Sequence, residues 1–180
     1  MDDLVLQAMA KWPHVPHCYG WLGLDARGRW WMRDERAQAA GGFDSGQPGS
    51  KGAVLEHEKL LALIARNYAA DERGCWYFQN GPQRVFVELA LTPLVWRVDS
   101  DGGAQDQCQQ SDRVDSCLVD EHGHVYLLGR RGLGLVHTQD MGVASDLIEQ
   151  GRWRLLEVVQ SDLQRQFGFV RSPQSLQRRE

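Results

Sequence analysis

The sequence is short of lysine, of cysteine and of long apolar runs, and each shortage excludes a class of protein. Only three basic residues are lysine, and acidic residues outnumber basic ones by 24 to 20, for a formal net charge of −4. This balance argues against the basic surface that holds nucleic-acid phosphates. No window approaches the ~20 apolar residues of a membrane-spanning helix. We therefore expect neither nucleic acid nor a membrane among the partners.

The four cysteines are sparse in a chain of 180 residues. They could pair in three ways, but we expect no disulfide framework, because a chain of this length can fold on burial alone. The first residues, MDDLVLQAMAK, carry two acids where a secretory signal peptide carries positive charge. We predict reduced thiols and a cytoplasmic location.

The sequence does contain enough apolar residues for a core. A hydrophobic fraction of 42% excludes disorder for most of the chain. The segment 99–113 has almost nothing to bury, and it divides the chain. We expect one domain made of a larger N-terminal lobe over 1–98, a polar loop over 99–113 and a smaller C-terminal lobe over 114–170. A mobile tail follows over 171–180.

Hydrophobic periodicity predicts an α+β fold. Apolar residues at positions 54, 61, 64 and 68 have the 3.6-residue spacing of an amphipathic helix, which we place over 53–70. Alternating apolar residues around Gly28 and around Asn80-Gly81 predict hairpins. The expected architecture is a mainly antiparallel, twisted sheet of about seven to nine strands, with one long helix packed on a face and short helices at the ends.

A short pattern recurs three times along the chain. Asp-x-x-Gly, followed two positions later by Trp or Val, begins at Asp25, Asp71 and Asp120. A spacing of roughly 50 residues is typical of an internal repeat. The flanks disagree, because the second copy follows the predicted helix whereas the other two lie between strands. We interpret the pattern as shared turn chemistry, since Asp and Gly are both favoured in turns.

Metal-ligand candidates occur near the N-terminus, at His14, His17 and Cys18. Imidazole and thiolate are ligands that borderline metals prefer. Their spacing is poor for a metal site, and prolines at 13 and 16 stiffen the segment. Ordinary histidines in turns are the alternative, and we predict no metal and no other cofactor.

Two segments beside predicted helices carry groups for anion binding or catalysis. The glycine-rich loop GQPGSKG precedes the long helix, so Lys51 is a candidate to meet an anion there, with a solvated connector as the alternative. His137, Gln139 and Asp140 lie where a strand meets a helix, and a histidine beside a carboxylate has the parts of a general base. The simpler interpretation is that Asp140 caps the helix.

His57 and a pair of tryptophans complete the candidates. His57 falls on the apolar stripe of the predicted helix, as either a hydrogen-bonded core-edge imidazole or a titrating group facing a cleft. Trp30 and Trp31 are consecutive in a predicted strand, so their rings point to opposite faces and cannot both fill one core. One ring therefore meets a covering helix or an external partner, since exposed aromatics mark interfaces.

The stretches WYFQNGPQRVFVEL and GLGLVHTQDM resemble segments of a family of small uncharacterised proteobacterial proteins. The resemblance covers most of the chain up to Val159. It implies a bacterial cytosolic protein. That family has no assigned function and no mapped catalytic residues, so the resemblance transfers no site to this chain.

These observations favour a non-catalytic binding or protein-interaction module that uses an aromatic sheet face, in the form of a homodimer. The motivation is the tryptophan excess together with the lack of a complete catalytic set. The alternative is an enzyme acting on a small anionic metabolite, with Lys51, or His137 and Asp140, at its site.

Overall fold

A computed structural model describes residues 7, 10, 11 and 15–177 of the chain. The chain divides into two compact units. Unit 1 combines residues up to Asp25 with Arg29–Ala90 and the segment from Val170 onward. Unit 2 combines Ala26–Gly28 with Leu91–Phe169. No helix in the described part of the chain is long and apolar enough to cross a membrane.

Unit 1 contains a six-stranded mixed sheet. Its strands are β1 (Cys18–Leu24), β2 (Trp30–Met32), β3 (Ala53–Val54), β4 (Tyr68–Ala70), β5 (Trp76–Asn80) and β6 (Gln83–Leu89). They lie in the order β3-β2-β1-β6-β5-β4, and β1 pairs with β6 in parallel while the other pairs are antiparallel. Most pairs are thus antiparallel, as expected, but the sheet is mixed because β1 and β6 pair in parallel across a long connection.

The helix predicted over 53–70 is much shorter. Helix α1 (Glu35–Ala40) precedes it, and the predicted helix itself is α2 (Glu58–Asn67), which has 10 residues. The flanking positions belong to the sheet as β3 and β4. The apolar residues of β3 and β4 fit the spacing of a helix. Helix propensity is a weak local preference, however, and strand pairing overrides it.

One part of the core of unit 1 is built around aromatic rings on one face of the sheet. Trp30 is 5% exposed, and its ring meets Tyr68 edge-to-face with centroids 5.1 Å apart. Tyr68 contacts Trp76 with centroids 4.7 Å apart. Ile64 of α2 is fully buried. The α2 stripe and the strand alternation therefore meet in one core.

Unit 2 contains a second mixed sheet of seven strands. The strands are β7 (Leu94–Val98), β8 (Ala104–Gln105), β9 (Ser111–Asp112), β10 (Ser116–Val119), β11 (Val125–Gly129), β12 (Gly132–Val136) and β13 (Leu155–Glu157). Their order is β13-β10-β11-β12-β7-β8-β9, with β10–β13 and β12–β7 parallel. The α+β class is confirmed, but the strands form two mixed sheets rather than one. The segment expected as a polar loop contains β8 and β9.

Two α-helices belong to unit 2, and another follows in unit 1. Helix α3 (Met141–Glu149) buries Ala144 and Leu147, and α4 (Leu163–Phe167) buries Leu163. Helix α5 (Pro173–Gln177) lies in the segment expected as a mobile tail. The buried Glu88 of β6 accepts hydrogen bonds from Ser172 Oγ at 2.6 Å and from the Gln174 N–H at 3.0 Å. These bonds fix the segment to unit 1.

One loop conformation recurs at hairpins in both units. In each case an aspartate accepts, through Oδ1, the N–H of the residue four positions later, and its own N–H donates to that residue's carbonyl. The residue before the last has positive φ. The five loops begin at Asp25, Asp71, Asp99, Asp106 and Asp120. This geometry supports shared turn chemistry as the origin of the sequence pattern.

Candidate ligand-binding surface

Asp25 ends the hairpin strand β1 and orients the side chains that follow it. Its buried carboxylate accepts hydrogen bonds at Oδ1 from the Arg29 N–H (3.0 Å) and at Oδ2 from Arg29 Nε (2.8 Å) and Trp31 Nε1 (2.9 Å). The loop makes this possible, because it returns the chain within four residues. One carboxylate therefore fixes both a guanidinium and an indole.

Trp31 is half buried and lies beside two cations. Arg29 Cζ is 5.3 Å and Lys51 Nζ is 5.8 Å from the centroid of its ring. Both distances are in the range of cation–π attraction. The Arg29 side chain is 50% exposed. A polarised indole and two cations thus face the solvent together.

Lys51 lies between two aromatic rings. Its Nζ is 5.7 Å from the centroid of Phe43, whose buried ring covers Gly23 of β1. A Cβ at Gly23 would come within 2.5 Å of that ring, so glycine is required for the contact. Within the described residues, no carboxylate lies at ion-pair distance from Lys51. Its ammonium donors are therefore available to an external anion.

The exposed residue Val54 extends this group of side chains to the edge of the sheet. It is 38% exposed and pairs with Trp31 across β2 and β3. Strand β3 is the terminal strand of the sheet in unit 1. We call Arg29, Trp31, Phe43, Lys51 and Val54 the Trp31 surface.

The two tryptophans predicted to diverge do so. Trp30 pairs with Leu24 and Trp31 with Gly23 on β1, which places their side chains on opposite faces. Trp30 belongs to the core described above, so it is not available as an interface residue. Trp31 keeps that candidacy.

The helix-based expectations for Lys51 and His57 are wrong. The glycine-rich loop leads into β3, so Lys51 does not stand at a helix N-terminus. His57 is exposed and precedes α2, where its Nδ1 accepts the Leu60 N–H at 3.3 Å as an N-cap. His57 is therefore neither on the apolar stripe nor at the core edge, because α2 begins at the next residue, Glu58.

His137 and Asp140 do not form a hydrogen-bonded pair. His137 Nδ1 accepts the backbone N–H of Gln139, whose side chain is exposed, at 3.1 Å. Buried Asp140 accepts Arg97 Nε at 2.5 Å, Arg97 Nη2 at 3.0 Å and the Val98 N–H at 3.0 Å. The Arg97 hydrogen bonds hold the pKa of Asp140 below its usual range. Asp140 makes no side-chain cap on α3 either, and its carboxylate anchors strand β7 through Arg97 and Val98.

The metal candidates do not assemble in the described part of the chain. His14 lies outside the described residues. His17 is exposed, its ring meets Phe86 edge-to-face, and burial together with nearby Arg84 lowers its pKa. Cys18 is a half-buried free thiol on β1. Among the described residues, no group of three or more histidines, cysteines or carboxylates is arranged to hold a metal.

Sequence reasoning missed four members of this region, Asp25, Arg29, Phe43 and Val54. A signal for two of them was present, because Asp25, Arg29 and Trp31 follow one another around a predicted turn. An aspartate at the start of such a turn reaches backbone and side chains four to six residues ahead. Phe43 gave no signal, because a residue in a glycine-rich loop carries no periodicity.

Comparison with known proteins identifies a family without a known activity. A search of curated proteins found no match to this chain. Two crystal structures of DUF1285 family proteins resemble the chain. The one from Shewanella baltica OS155 is 15% identical, with a TM-score of 0.46, over 70% of this chain and 91% of that chain. The one from Silicibacter pomeroyi DSS-3 is 14% identical, with a TM-score of 0.49, over 82% and 85%. A family model matches residues 1–174 and confirms the resemblance to an uncharacterised family: the chain belongs to the DUF2944 family, described as "Protein of unknown function (DUF2946)".

Proposed function

We propose that this protein is an interaction module that binds an acidic, extended segment of a partner at the Trp31 surface. The observation that carries the proposal is the position of Lys51, whose Nζ lies within 6 Å of two ring centroids and makes no ion pair with a described residue. A cation without a carboxylate partner, held on an apolar floor, is a site for an external anion.

The half-buried setting strengthens the attraction of Lys51 for an anion. Lys51 is a half-buried residue, so an ion pair formed beside it loses less of its Coulomb energy to water than one on an open surface. The cation–π contacts hold the side chain in place, at about 0.5–1 kcal/mol each for exposed sites. Less side-chain entropy is then lost on binding.

Trp31 supplies a pre-organised contact for the apolar part of a partner. The Asp25 carboxylate already fixes the indole through Nε1 at 2.9 Å. A rigid aromatic ring that need not reorient is a typical anchor of protein interfaces. Val54, on the terminal strand β3, offers an apolar neighbour at the open edge of the sheet. An extended segment with alternating acidic and apolar residues matches this pattern.

Fluorescence anisotropy with a labelled peptide of alternating glutamate and leucine tests the proposal. We expect binding that weakens as salt concentration rises, since charge is part of the contact. Lys51→Met should reduce the affinity at least fivefold, a loss of about 1 kcal/mol. Lys59→Met is the matched control, because Lys59 is an exposed lysine of α2 outside the Trp31 surface. Equal affinities of the two variants, or no binding by the native chain, would contradict the proposal.

Two other occupants are distinguished by the same samples. Inorganic phosphate or a nucleotide could displace the peptide and raise the thermal midpoint of the native chain but not that of Lys51→Met. This result would identify a small anion, rather than a peptide, as the ligand of the Trp31 surface. Light scattering tests the homodimer, which stays a prediction. A dimer that dissociates in Lys51→Met but not in Lys59→Met would make a second copy the partner.

A further inference from the structure

A hairpin of unit 2 brings a buried carboxylate against a solvent-exposed imidazole. Asp120 and His124 flank the loop that joins β10 to β11, and Asp120 Oδ2 lies 2.9 Å from His124 Nδ1. The Asp120 side chain is fully buried, whereas that of His124 is 43% exposed. A carboxylate that orients an imidazole in this way is found in hydrolytic enzymes of unrelated folds.

Asp120 is charged and receives several hydrogen bonds. The Tyr126 hydroxyl donates to Oδ2 at 2.6 Å and Gln160 Nε2 at 3.0 Å, while the N–H groups of His122 and His124 donate to Oδ1. Burial alone would raise the pKa of Asp120. The hydrogen bonds from Tyr126, His124 and Gln160 outweigh burial and hold that pKa well below its ordinary value.

A charged Asp120 determines which nitrogen of His124 carries the proton. An ionised carboxylate only accepts hydrogen bonds, so Nδ1 must be the donor in the neutral ring. The Gln160 amide nitrogen, 3.3 Å from Nδ1, then faces another donor, and its hydrogen bond goes to Asp120. The free lone pair of the neutral ring is on Nε2. Nε2 makes no hydrogen bond to a described residue, and the His124 side chain is 43% exposed.

We propose that His124 Nε2 is a nucleophile for small, activated acyl compounds and that Asp120 positions it. The Nε2 lone pair forms a bond to the acyl carbon, and the bond from that carbon to the leaving group breaks, with its electron pair leaving on the departing oxygen. The positive charge of the acylated ring lies beside Asp120, which stabilises it. Water then adds to the acyl carbon, the C–N bond breaks, and the products are a carboxylic acid, neutral His124 and one proton released to solvent.

A second histidine in the same loop, His122, provides the comparison that tests the role of His124. Glu121 and His122 are both exposed, and His122 Nε2 lies 3.6 Å from Glu121 Oε1. The His122 and His124 ring centroids are 6.1 Å apart. His122 thus lies in the same loop as His124 and is more exposed. The carboxylate beside it, that of Glu121, is exposed, whereas the carboxylate beside His124 is buried. His122 is an internal control for accessibility.

Diethyl pyrocarbonate, mapped by peptide mass spectrometry on the full chain at pH 8, compares the two imidazoles directly. We expect His124 to be modified about tenfold faster than His122, because a carboxylate that accepts from Nδ1 raises the basicity of the ring. Equal rates, or faster modification of the more exposed His122, would overturn the proposal. This comparison needs no variant and so does not depend on how a mutant folds.

Hydrolysis of p-nitrophenyl acetate then tests acyl transfer. His124→Gln should remove most of the protein-dependent release of p-nitrophenolate, and His122→Gln should leave most of it. Asp120→Asn should lower the rate about tenfold while His124 remains present. Circular dichroism confirms that each variant is folded. Release that is unchanged in His124→Gln would refute the nucleophile, whatever the peptide-binding results for the Trp31 surface.

Discussion

The Asp25 carboxylate holds the Trp31 indole through a 2.9 Å hydrogen bond to Nε1 and the Arg29 guanidinium through a 2.8 Å hydrogen bond to Nε. The aspartate belongs to the recurring hairpin loop, and the indole belongs to the Trp31 surface. A turn residue therefore serves two roles: it closes the hairpin with Oδ1, and it orients a proposed interface with Oδ2. The two oxygens make the roles separable by experiment.

Asp25→Asn tests this double role. The amide keeps the shape of the side chain but loses the charge that strengthens its bonds to Arg29 and Trp31. We expect weaker binding of the acidic peptide and a lower thermal midpoint. Asp71→Asn is the matched control, because Asp71 starts the same kind of loop and no indole is bound to it among the described contacts. A loss of peptide affinity equal in both variants would show that Asp25 acts only through hairpin stability.

Trp30 and Trp31 should respond very differently to truncation. Trp30→Ala removes a buried ring that packs against Tyr68, and we expect a loss of about 3–5 kcal/mol in the free energy of unfolding. Trp31→Ala should cost much less stability, because the ring is half buried, and should weaken peptide binding. Urea unfolding and anisotropy measure the two effects. The roles assigned here would be reversed if Trp31→Ala were the more destabilising change.

The local features of the fold were accessible from the sequence, and the long-range ones were not. Strand alternation placed Trp30 and Trp31 on opposite faces, and turn chemistry explained the Asp-x-x-Gly pattern. The parallel pairing of β1 with β6 was not accessible, because Cys18 meets Val85 across a long connection. Sequence spacing carries no information about such a partner.

The candidate site shows the same division. The sequence identified Lys51 as a candidate for anion binding and Trp31 as one of two rings that cannot share a core. Nothing in the sequence indicated that the two side chains lie next to each other. Asp140 was recognisable as a polar residue at a junction. Its partner Arg97 lies 43 positions away, and that partner decides that the carboxylate anchors a strand. Residue type suggests what a side chain can do, whereas its packing partners determine what it does.

The ion pair of Asp140 with Arg97 predicts a pH dependence of stability. Its hydrogen bonds lower the pKa of Asp140 in the folded chain relative to the unfolded chain. The folded state therefore binds fewer protons, and Asp140 stabilises it fully at pH values above the ordinary carboxylate pKa of about 3.9. This contribution disappears as pH falls through the lower, folded-state pKa.

Asp140→Asn isolates that contribution. We expect the native chain to be more stable than Asp140→Asn in urea at pH 7, and the difference to narrow progressively below about pH 4. Asp146→Asn, at an exposed aspartate of α3, should show no comparable narrowing. A difference that stays constant down to pH 2.5 would mean that the loss in Asp140→Asn comes from packing rather than from charge.

Gln109 gives a prediction in the opposite direction, a gain of stability. It occupies the positive-φ position of its hairpin loop at φ 60°, where the other four loops have Gly28, Gly74, Gly102 and Gly123. A side chain in this left-handed conformation costs about 1–2 kcal/mol relative to glycine. Glycine recovers only part of this free energy, because it also makes the unfolded chain more flexible. We therefore expect Gln109→Gly to raise the free energy of unfolding by about 0.5–1 kcal/mol. Gln110→Gly, at the next position, lacks the strain and should lower it, so urea unfolding that shows the same sign for both variants would contradict a conformational cost at Gln109.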